Sequence, residues 1–198
     1  MNWILASGSP RRRELLEMLG VPNLTIRPAK GPERATPGAG PEQTVRELAL
    51  HKAQEVAQTC APEDIVIAAD TIVYLDGVIL GKPKDTADAA RMLAALSGRE
   101  HTVYTGIAVL RGGETRLAAE HTAVRFRTLT PAEITRYIAT GEPMDKAGAY
   151  GIQGRGALFV AHLDGDYFNV MGLPLCPLCR MLRAFGVHIL TEKEAQEA

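Results

Sequence analysis

The stretch ILASGSPRRRELLEMLG, residues 4–20, places hydroxyl and guanidinium groups at the start of a predicted helix. An apolar run over residues 2–6 predicts a short buried strand, and a serine followed by Pro10 predicts the helix start. The first turn of a helix carries free N–H groups and a partial positive charge, so it binds anions well. Four side chains add donors to this turn: Ser7, Ser9, Arg11 and Arg12. The pattern predicts a phosphate-binding site.

The three arginines, residues 11–13, also stand where a helix selected only for stability carries acids. That placement costs about 0.3–1 kcal/mol per exposed charge, and a bound anion would reverse the cost. The alternative is a solvated face that pairs with Glu14 or Glu17. The stretch lacks the Gly-Lys-Ser/Thr ending of a P-loop and the glycines of the dinucleotide fingerprint.

A second candidate is Asp70, in the stretch VIAADTIV. We expect the apolar strand over residues 65–69 to be central and to end at Asp70 and Thr71. A carboxylate in that position is typical of α/β sites, and it could hold a divalent cation or take a proton from water. The alternative is an aspartate that starts a turn. Lys82, in a stiff Gly-Lys-Pro turn, is a predicted second phosphate contact.

A third candidate is the stretch DKAGAYGIQGRG, residues 145–156. Its four glycines predict that the backbone approaches something closely. The amide of Gln153 offers a donor and an acceptor, which matches the edge of uracil or thymine. The alternative is a glutamine that caps a turn.

Composition narrows the class of protein. The chain has 198 residues, 46% of them hydrophobic, which suffices for one domain or two tightly joined lobes. The net charge of −1 predicts no nucleic-acid polymer as partner. With no run of about 18 apolar residues we expect no membrane span, and the N-terminus does not have the pattern of a signal peptide. Three cysteines form no even-numbered framework, which favours a reducing, cytosolic setting.

Periodicity predicts alternating helices and strands, with a Pro- and Gly-rich functional loop over residues 28–41. Helices are predicted from residue 10 to a stop at residue 20, over 42–59 and 86–96, from 130 with a capping box, and over 174–185. Strands are predicted over 2–6, 24–27, 65–69, 101–110 and 115–126, with hairpins over 71–80 and over 158–163 with 167–171. The fold class is therefore α/β with a mixed sheet, as a single domain over residues 1–190 and a frayed tail over 191–198.

Five motifs, in this order, resemble those of the Maf family. They are Ser7-Gly8-Ser9-Pro10-Arg11-Arg12 before Leu15-Leu16, Ala69-Asp70-Thr71, Gly81-Lys82-Pro83, Asp145 to Gly154, and Val170-Met171-Gly172-Leu173-Pro174. The resemblance covers nearly the whole chain, and five ordered motifs are far more specific than any one of them.

The resemblance implies a fold like that of the inosine triphosphate pyrophosphatases, an elongated mixed sheet with flanking helices and a cleft between two lobes. It implies hydrolysis of nucleoside triphosphates to the monophosphate and pyrophosphate with a divalent cation, Mg²⁺ or Mn²⁺. The run Tyr150-Gly151-Ile152-Gln153 resembles the dTTP/UTP branch, with modified pyrimidine nucleotides as further candidates; a sister branch acting on 7-methyl-GTP lacks it. Family members are usually cytoplasmic, often form homodimers, and were in some cases linked to septum formation.

Residue roles follow from the same resemblance. Asp70 corresponds to the family's proton acceptor, and Arg12, Thr71 and Gln153 to positions tied to base selection. Glu33 and Lys52 resemble polar residues on the family's loop and second helix, although an aspartate often found near Glu33 is missing. The predicted metal ligands are Asp70 and Glu33. The predicted phosphate-binding set is Ser7, Ser9, Arg11, Arg12, Lys52 and Lys82.

A second class of function competes with the enzyme. A non-catalytic nucleotide-binding regulator of cell division and septum formation would need the phosphate site but neither Asp70 nor a metal. The presence of Asp70, Lys82 and Gln153 together favours the enzyme.

Overall fold

The computed structural model describes residues 1–190, and the predicted frayed tail over 191–198 lies outside the described residues. Its strands are β1 (Trp3–Leu5), β2 (Leu24–Ile26), β3 (Ile65–Leu75), β4 (Val78–Leu80), β5 (Glu100–Arg111), β6 (Glu114–Phe126) and β7 (Val160–Asp164). Its α-helices are α1 (Pro10–Met18), α2 (Pro41–Ala57), α3 (Thr86–Leu96), α4 (Pro131–Ile138), α5 (Tyr167–Met171) and α6 (Leu175–Ala184). Three short 3-10 helices lie between α4 and β7.

One seven-stranded sheet runs through the molecule in the order β2-β1-β3-β5-β6-β7, with β4 paired to β3. β1 is parallel to both β2 and β3, whereas β3, β5, β6 and β7 pair antiparallel. The predicted mixed α/β sheet is confirmed. The apolar start of β3 lies between β1 and β5, as a strand buried on both faces requires.

Two local predictions were wrong. β3 does not end at Asp70 but continues to Leu75, because β5 pairs with it from Val66 to Tyr74. The segment after Gly165 is the helix α5 rather than a strand. The Asp166 carboxylate caps it by accepting from the Phe168 N–H at 2.8 Å.

The core divides into three buried clusters. One cluster packs α1 and α6 on one face of the sheet, and a second packs α2 on the opposite face. The third packs α3 and α4 against the C-terminal ends of β3 and β6 and the N-terminal end of β5. α2 rests directly on β5 at Gly106, where an added Cβ would stand 2.2 Å from the Val45 carbonyl oxygen. Within residues 1–190 we find no helix both long and apolar enough to cross a membrane.

Candidate active site

A cleft of about 690 Å³ lies where these packed regions meet. Its walls come from the β1–α1 turn, the loop before α2 and one face of α2, the middle of β3, and the turn after β4. The segment between α4 and β7 and the end of α5 complete the lining. All predicted site residues except Gln153 line it: Ser7, Ser9, Arg11, Arg12, Glu33, Lys52, Asp70, Thr71 and Lys82. Residues that are far apart in the sequence therefore share one cavity.

The Arg12 side chain is held at three points inside the cleft. Its Nε donates to the Gly172 carbonyl oxygen at 2.8 Å, and its two terminal nitrogens donate to Ser7 Oγ at 3.0 Å and Thr71 Oγ1 at 3.1 Å. A guanidinium has five N–H donors, so two remain for a ligand. Burial lowers the pKa of Arg12, although nearby Asp70 raises it. The group stays cationic, since an arginine does not lose its proton in a protein.

Behind Arg12, a chain of buried hydroxyls fixes the direction of each hydrogen bond. Thr105 Oγ1 donates its proton to the Asn169 carbonyl oxygen at 2.9 Å, so it must accept from Thr71 Oγ1, also at 2.9 Å. Thr71 in turn accepts from Arg12. Asn169 is fully buried and donates through its amide to Val103 O and Thr122 Oγ1. These hydrogen bonds connect Arg12 to β5 and α5, and the donor and the acceptor of each bond are fixed.

The three arginines, residues 11–13, lie in different environments. Arg11 and Arg12 line the cleft, and Arg11 lies 3.8 Å from Asp145 across it. Arg13 is exposed and pairs with Glu17 at 2.7 Å, which raises its pKa. The solvated-face alternative therefore describes Arg13 alone. The Ser9 side chain makes no capping hydrogen bond to α1, so its hydroxyl is not committed to the helix.

Asp70 and Glu33 lie on either side of one ammonium group. Lys52 Nζ donates to Glu33 Oε1 at 2.8 Å and makes a short contact with Asp70 Oδ1. Asp70 is 7% exposed and comes from the sheet, Lys52 comes from α2, and Glu33 comes from the preceding loop. Lys52, predicted as a phosphate contact, is shared between two carboxylates in this structure.

The two carboxyl groups have opposite pKa shifts. Burial raises the pKa of Asp70, against the opposing effect of Lys52 and Arg12. The hydrogen bond from Lys52 lowers the pKa of Glu33, which is more exposed. A raised pKa brings a carboxylate closer to the value that suits a general base at neutral pH. Asp70 is the better placed of the two to accept a proton.

Two carboxylates of the cleft, Asp70 and Glu33, lie close together because both contact Lys52. Magnesium is usually bound by one or two carboxylates together with substrate phosphates and water, and Asp70 with Glu33 meets that requirement. No group of three or more His, Cys, Asp or Glu residues suited to a metal occurs in the part of the chain that the structure describes. The predicted metal ligands, Asp70 and Glu33, are thus the two carboxylates that could hold such a cation, and their role as ligands stays a prediction.

Gln153 lies on an exposed loop rather than in the cleft lining. Its neighbours Gly151 and Ile152 do line the cleft. The predicted role of Gln153 in base selection stays a prediction.

The four glycines of this segment approach the protein's own side chains. An added Cβ would lie 2.7 Å from Val73 at Gly148, 2.7 Å from Lys146 at Gly151 and 2.3 Å from Glu142 at Gly154. At Gly156 it would lie 2.8 Å from the Tyr137 hydroxyl. The backbone does approach other groups closely at these four glycines, as predicted, and those groups are side chains of the same chain.

Three residues at the cleft were not singled out from the sequence. The Gly172 carbonyl accepts from Arg12, and a Cβ there would stand 3.2 Å from Thr71 Oγ1. Asp145 and Lys146 also line the cleft, and their side chains pair with each other at 2.7 Å. Each lies within a quoted motif, but spacing alone does not reveal which motif residues face the cavity.

The fold is a mixed α/β sheet whose cleft places cationic side chains beside the buried carboxylate of Asp70. The chain belongs to the family of Maf-like proteins, whose sequence model matches residues 2–185. It is 54% identical over 188 residues to a dTTP/UTP pyrophosphatase of Moorella thermoacetica, covering 94% of this chain and 96% of that one. A dTTP/UTP pyrophosphatase of Symbiobacterium thermophilum is 52% identical over 188 residues, covering 95% and 96% of the two chains.

Solved structures show more distant likenesses. A nucleoside-triphosphatase (dITP/XTP pyrophosphatase) from Mycobacterium abscessus matches with a TM-score of 0.43 and 20% identity, covering 71% of this chain and 93% of that one. The Ham1 protein of Staphylococcus aureus matches with a TM-score of 0.47 and 16% identity, covering 64% and 72% of the two chains.

Proposed function

We propose that this protein hydrolyses nucleoside triphosphates to the nucleoside monophosphate and pyrophosphate with a divalent metal, and prefers dTTP and UTP. Modified pyrimidine triphosphates belong to the same proposed substrate class. The observation that carries the proposal is the position of Asp70, a buried carboxylate with a raised pKa that shares one cleft with Arg11, Arg12 and Lys82. Relatives about half identical over nearly the full chain are named dTTP/UTP pyrophosphatases, which supports the reaction and the choice of base.

The proposed reaction needs a proton acceptor and charge stabilisation rather than a covalent nucleophile. Asp70 orients a water molecule and takes its proton as the water oxygen bonds to the α-phosphorus. The bond between the α-phosphorus and the bridging oxygen breaks, and the electron pair leaves with pyrophosphate. The two free N–H donors of Arg12 and the charge of Arg11 stabilise the phosphate oxygens, because both side chains line the cleft.

In the same proposal, Asp70 and Glu33 would be the residues that hold the divalent cation, together with oxygens of the substrate. The cation supplies neutralisation of the triphosphate charge when it is bound. Lys52 offsets the repulsion between the two carboxylates, since its ammonium contacts both. The cytoplasmic location and the homodimer predicted above remain predictions.

The experiment is pyrophosphate release from a panel of dTTP, UTP, CTP, dATP and GTP, with Mg²⁺, with Mn²⁺ and with a chelator. We expect release from dTTP and UTP that depends on the metal, at rates at least tenfold above those for the purine nucleotides. Binding of dTTP without release under any metal condition would overturn the proposal and support a nucleotide-binding regulator.

A further inference from the structure

The segment over residues 151–156, a loop that runs into the first turn of the 3-10 helix Arg155–Phe159, is held at both of its ends by one pair of side chains. Tyr137, on α4, accepts a hydrogen bond from the Gly151 N–H at 3.2 Å through its hydroxyl. The Glu142 carboxylate accepts from the Arg155 N–H at 2.9 Å and from the Gly156 N–H at 3.1 Å. The two side chains are joined to each other, because the Tyr137 hydroxyl donates to Glu142 Oε1 at 2.8 Å. We call Tyr137 and Glu142 the loop clamp.

The clamp also explains two of the glycines in the loop. A Cβ at Gly154 would stand 2.3 Å from Glu142 Oε1, and a Cβ at Gly156 would stand 2.8 Å from the Tyr137 hydroxyl. Only glycine permits the backbone to come this close to the clamp. The glycines at 154 and 156 are therefore required for the hydrogen bonds that the two clamp side chains make to the loop.

Between the fastened ends, the clamp leaves two side chains unfastened. Ile152 is half-buried and lines the cleft, and Gln153 is exposed beside it. Neither clamp residue lines the cleft, whereas Ile152 of the loop does. Any effect of Tyr137 and Glu142 on a substrate must therefore pass through the position of Ile152 and Gln153.

The clamp carboxylate is held as an anion. Although partial burial acts in the other direction, hydrogen bonds from the two backbone N–H groups and from Tyr137 lower the pKa of Glu142. Burial raises the pKa of Tyr137, so its phenol stays protonated and remains the donor. The donor and acceptor roles within the clamp are thus fixed near neutral pH.

We propose that Tyr137 and Glu142 are positioning residues that set the base selectivity of the cleft by fixing both ends of the 151–156 loop. This inference rests on the proposed function for its substrate, a pyrimidine nucleoside triphosphate. The part of it that concerns the loop does not depend on catalysis.

The test compares Tyr137→Phe and Glu142→Gln with wild type in two measurements. Tyr137→Phe keeps the ring and removes both hydroxyl hydrogen bonds, and Glu142→Gln keeps the shape and removes the charge that three donors share. We expect faster amide hydrogen exchange at residues 151, 155 and 156. We also expect a rise in KM for UTP of about tenfold with kcat changed less than threefold, and a similar fall in the ratio of kcat/KM for UTP to that for CTP. Each lost hydrogen bond to a charged group corresponds to roughly this factor or more.

Tyr167→Phe is the matched control, because Tyr167 is exposed and outside the cleft lining. It should leave exchange in the loop and the UTP/CTP ratio unchanged. Faster loop exchange with an unchanged ratio would overturn the selectivity role, and unchanged exchange would overturn the clamp itself. If wild type releases no pyrophosphate from any nucleotide, the proposed function fails, and the exchange measurement still decides whether the clamp exists.

Discussion

Asp70→Asn should lower kcat for pyrophosphate release by about 10²-fold or more while the protein still binds its nucleotide. The amide keeps the size of the carboxylate but cannot take a proton from water, and general-base catalysis contributes on this scale. The fold should survive, because the amide oxygen can still accept from Lys52, and Lys52 keeps its pair with Glu33 at 2.8 Å. The measurement is steady-state release of pyrophosphate from UTP, with UTP binding followed separately by calorimetry.

Asp164→Asn is the control for that substitution, since Asp164 is exposed at the end of β7 and outside the cleft lining. It removes the same charge from the protein and should keep wild-type kcat. If Asp70→Asn retains most of the wild-type rate, Asp70 is not the proton acceptor, and the mechanism proposed above is wrong.

Arg12→Lys should reduce kcat/KM for UTP by about 10²-fold even though the positive charge is kept. A lysine cannot reproduce the fixed fork that reaches Gly172 O, Ser7 Oγ and Thr71 Oγ1 together. The ammonium would take a different position, and the two guanidinium donors that remain for a ligand would be lost. Loss of one oriented donor to a developing anion costs a factor of this order.

The neighbouring residue provides the comparison. Arg13→Lys changes the same residue type one position along α1, but Arg13 is exposed and pairs with Glu17. Its kcat/KM should stay within twofold of wild type. Equal losses in the two variants would mean that α1 contributes general positive charge rather than an oriented guanidinium.

Local chemistry made most of the elements predictable. α3 begins and ends at the predicted residues, with Asp85 accepting from the Asp88 N–H as its cap. The capping box predicted for Thr130 and Glu133 is present at the start of α4. The turns at Asp76-Gly77 and Gly112-Gly113 join the predicted strands. In each case the signal lies within a few residues of the structure it specifies.

The two errors have different causes, one a distant contact and the other a pair of local caps. β3 continues past Asp70 because β5, about 30 residues later, supplies an unbroken ladder of partners. Tyr167–Met171 has the composition of a strand, yet the cap from Asp166 and the left-handed Gly172 make it a helix. The apolar pattern of residues 65–69 does not contain the β5 partner, whereas both caps of α5 border the segment in the sequence.

The site was predictable as a set of residues but not as an arrangement. Motif resemblance gave Glu33, Lys52 and Asp70 separately, whereas their shared ion pair depends on a loop, a helix and a strand meeting. The glycine spacing predicted that the backbone approaches another group closely, but it did not identify Glu142 and Tyr137 as the groups at Gly154 and Gly156. Both partners lie close by in the sequence, but their hydrogen bonds to the loop depend on the turn that follows α4.

The most direct test of the proposed reaction is product analysis after hydrolysis of UTP in water enriched in oxygen-18. Attack at the α-phosphorus predicts one labelled oxygen in UMP and none in pyrophosphate, as mass spectrometry of the two products would show. Label in pyrophosphate, or formation of UDP and orthophosphate, would place the attack at another phosphorus and contradict the account.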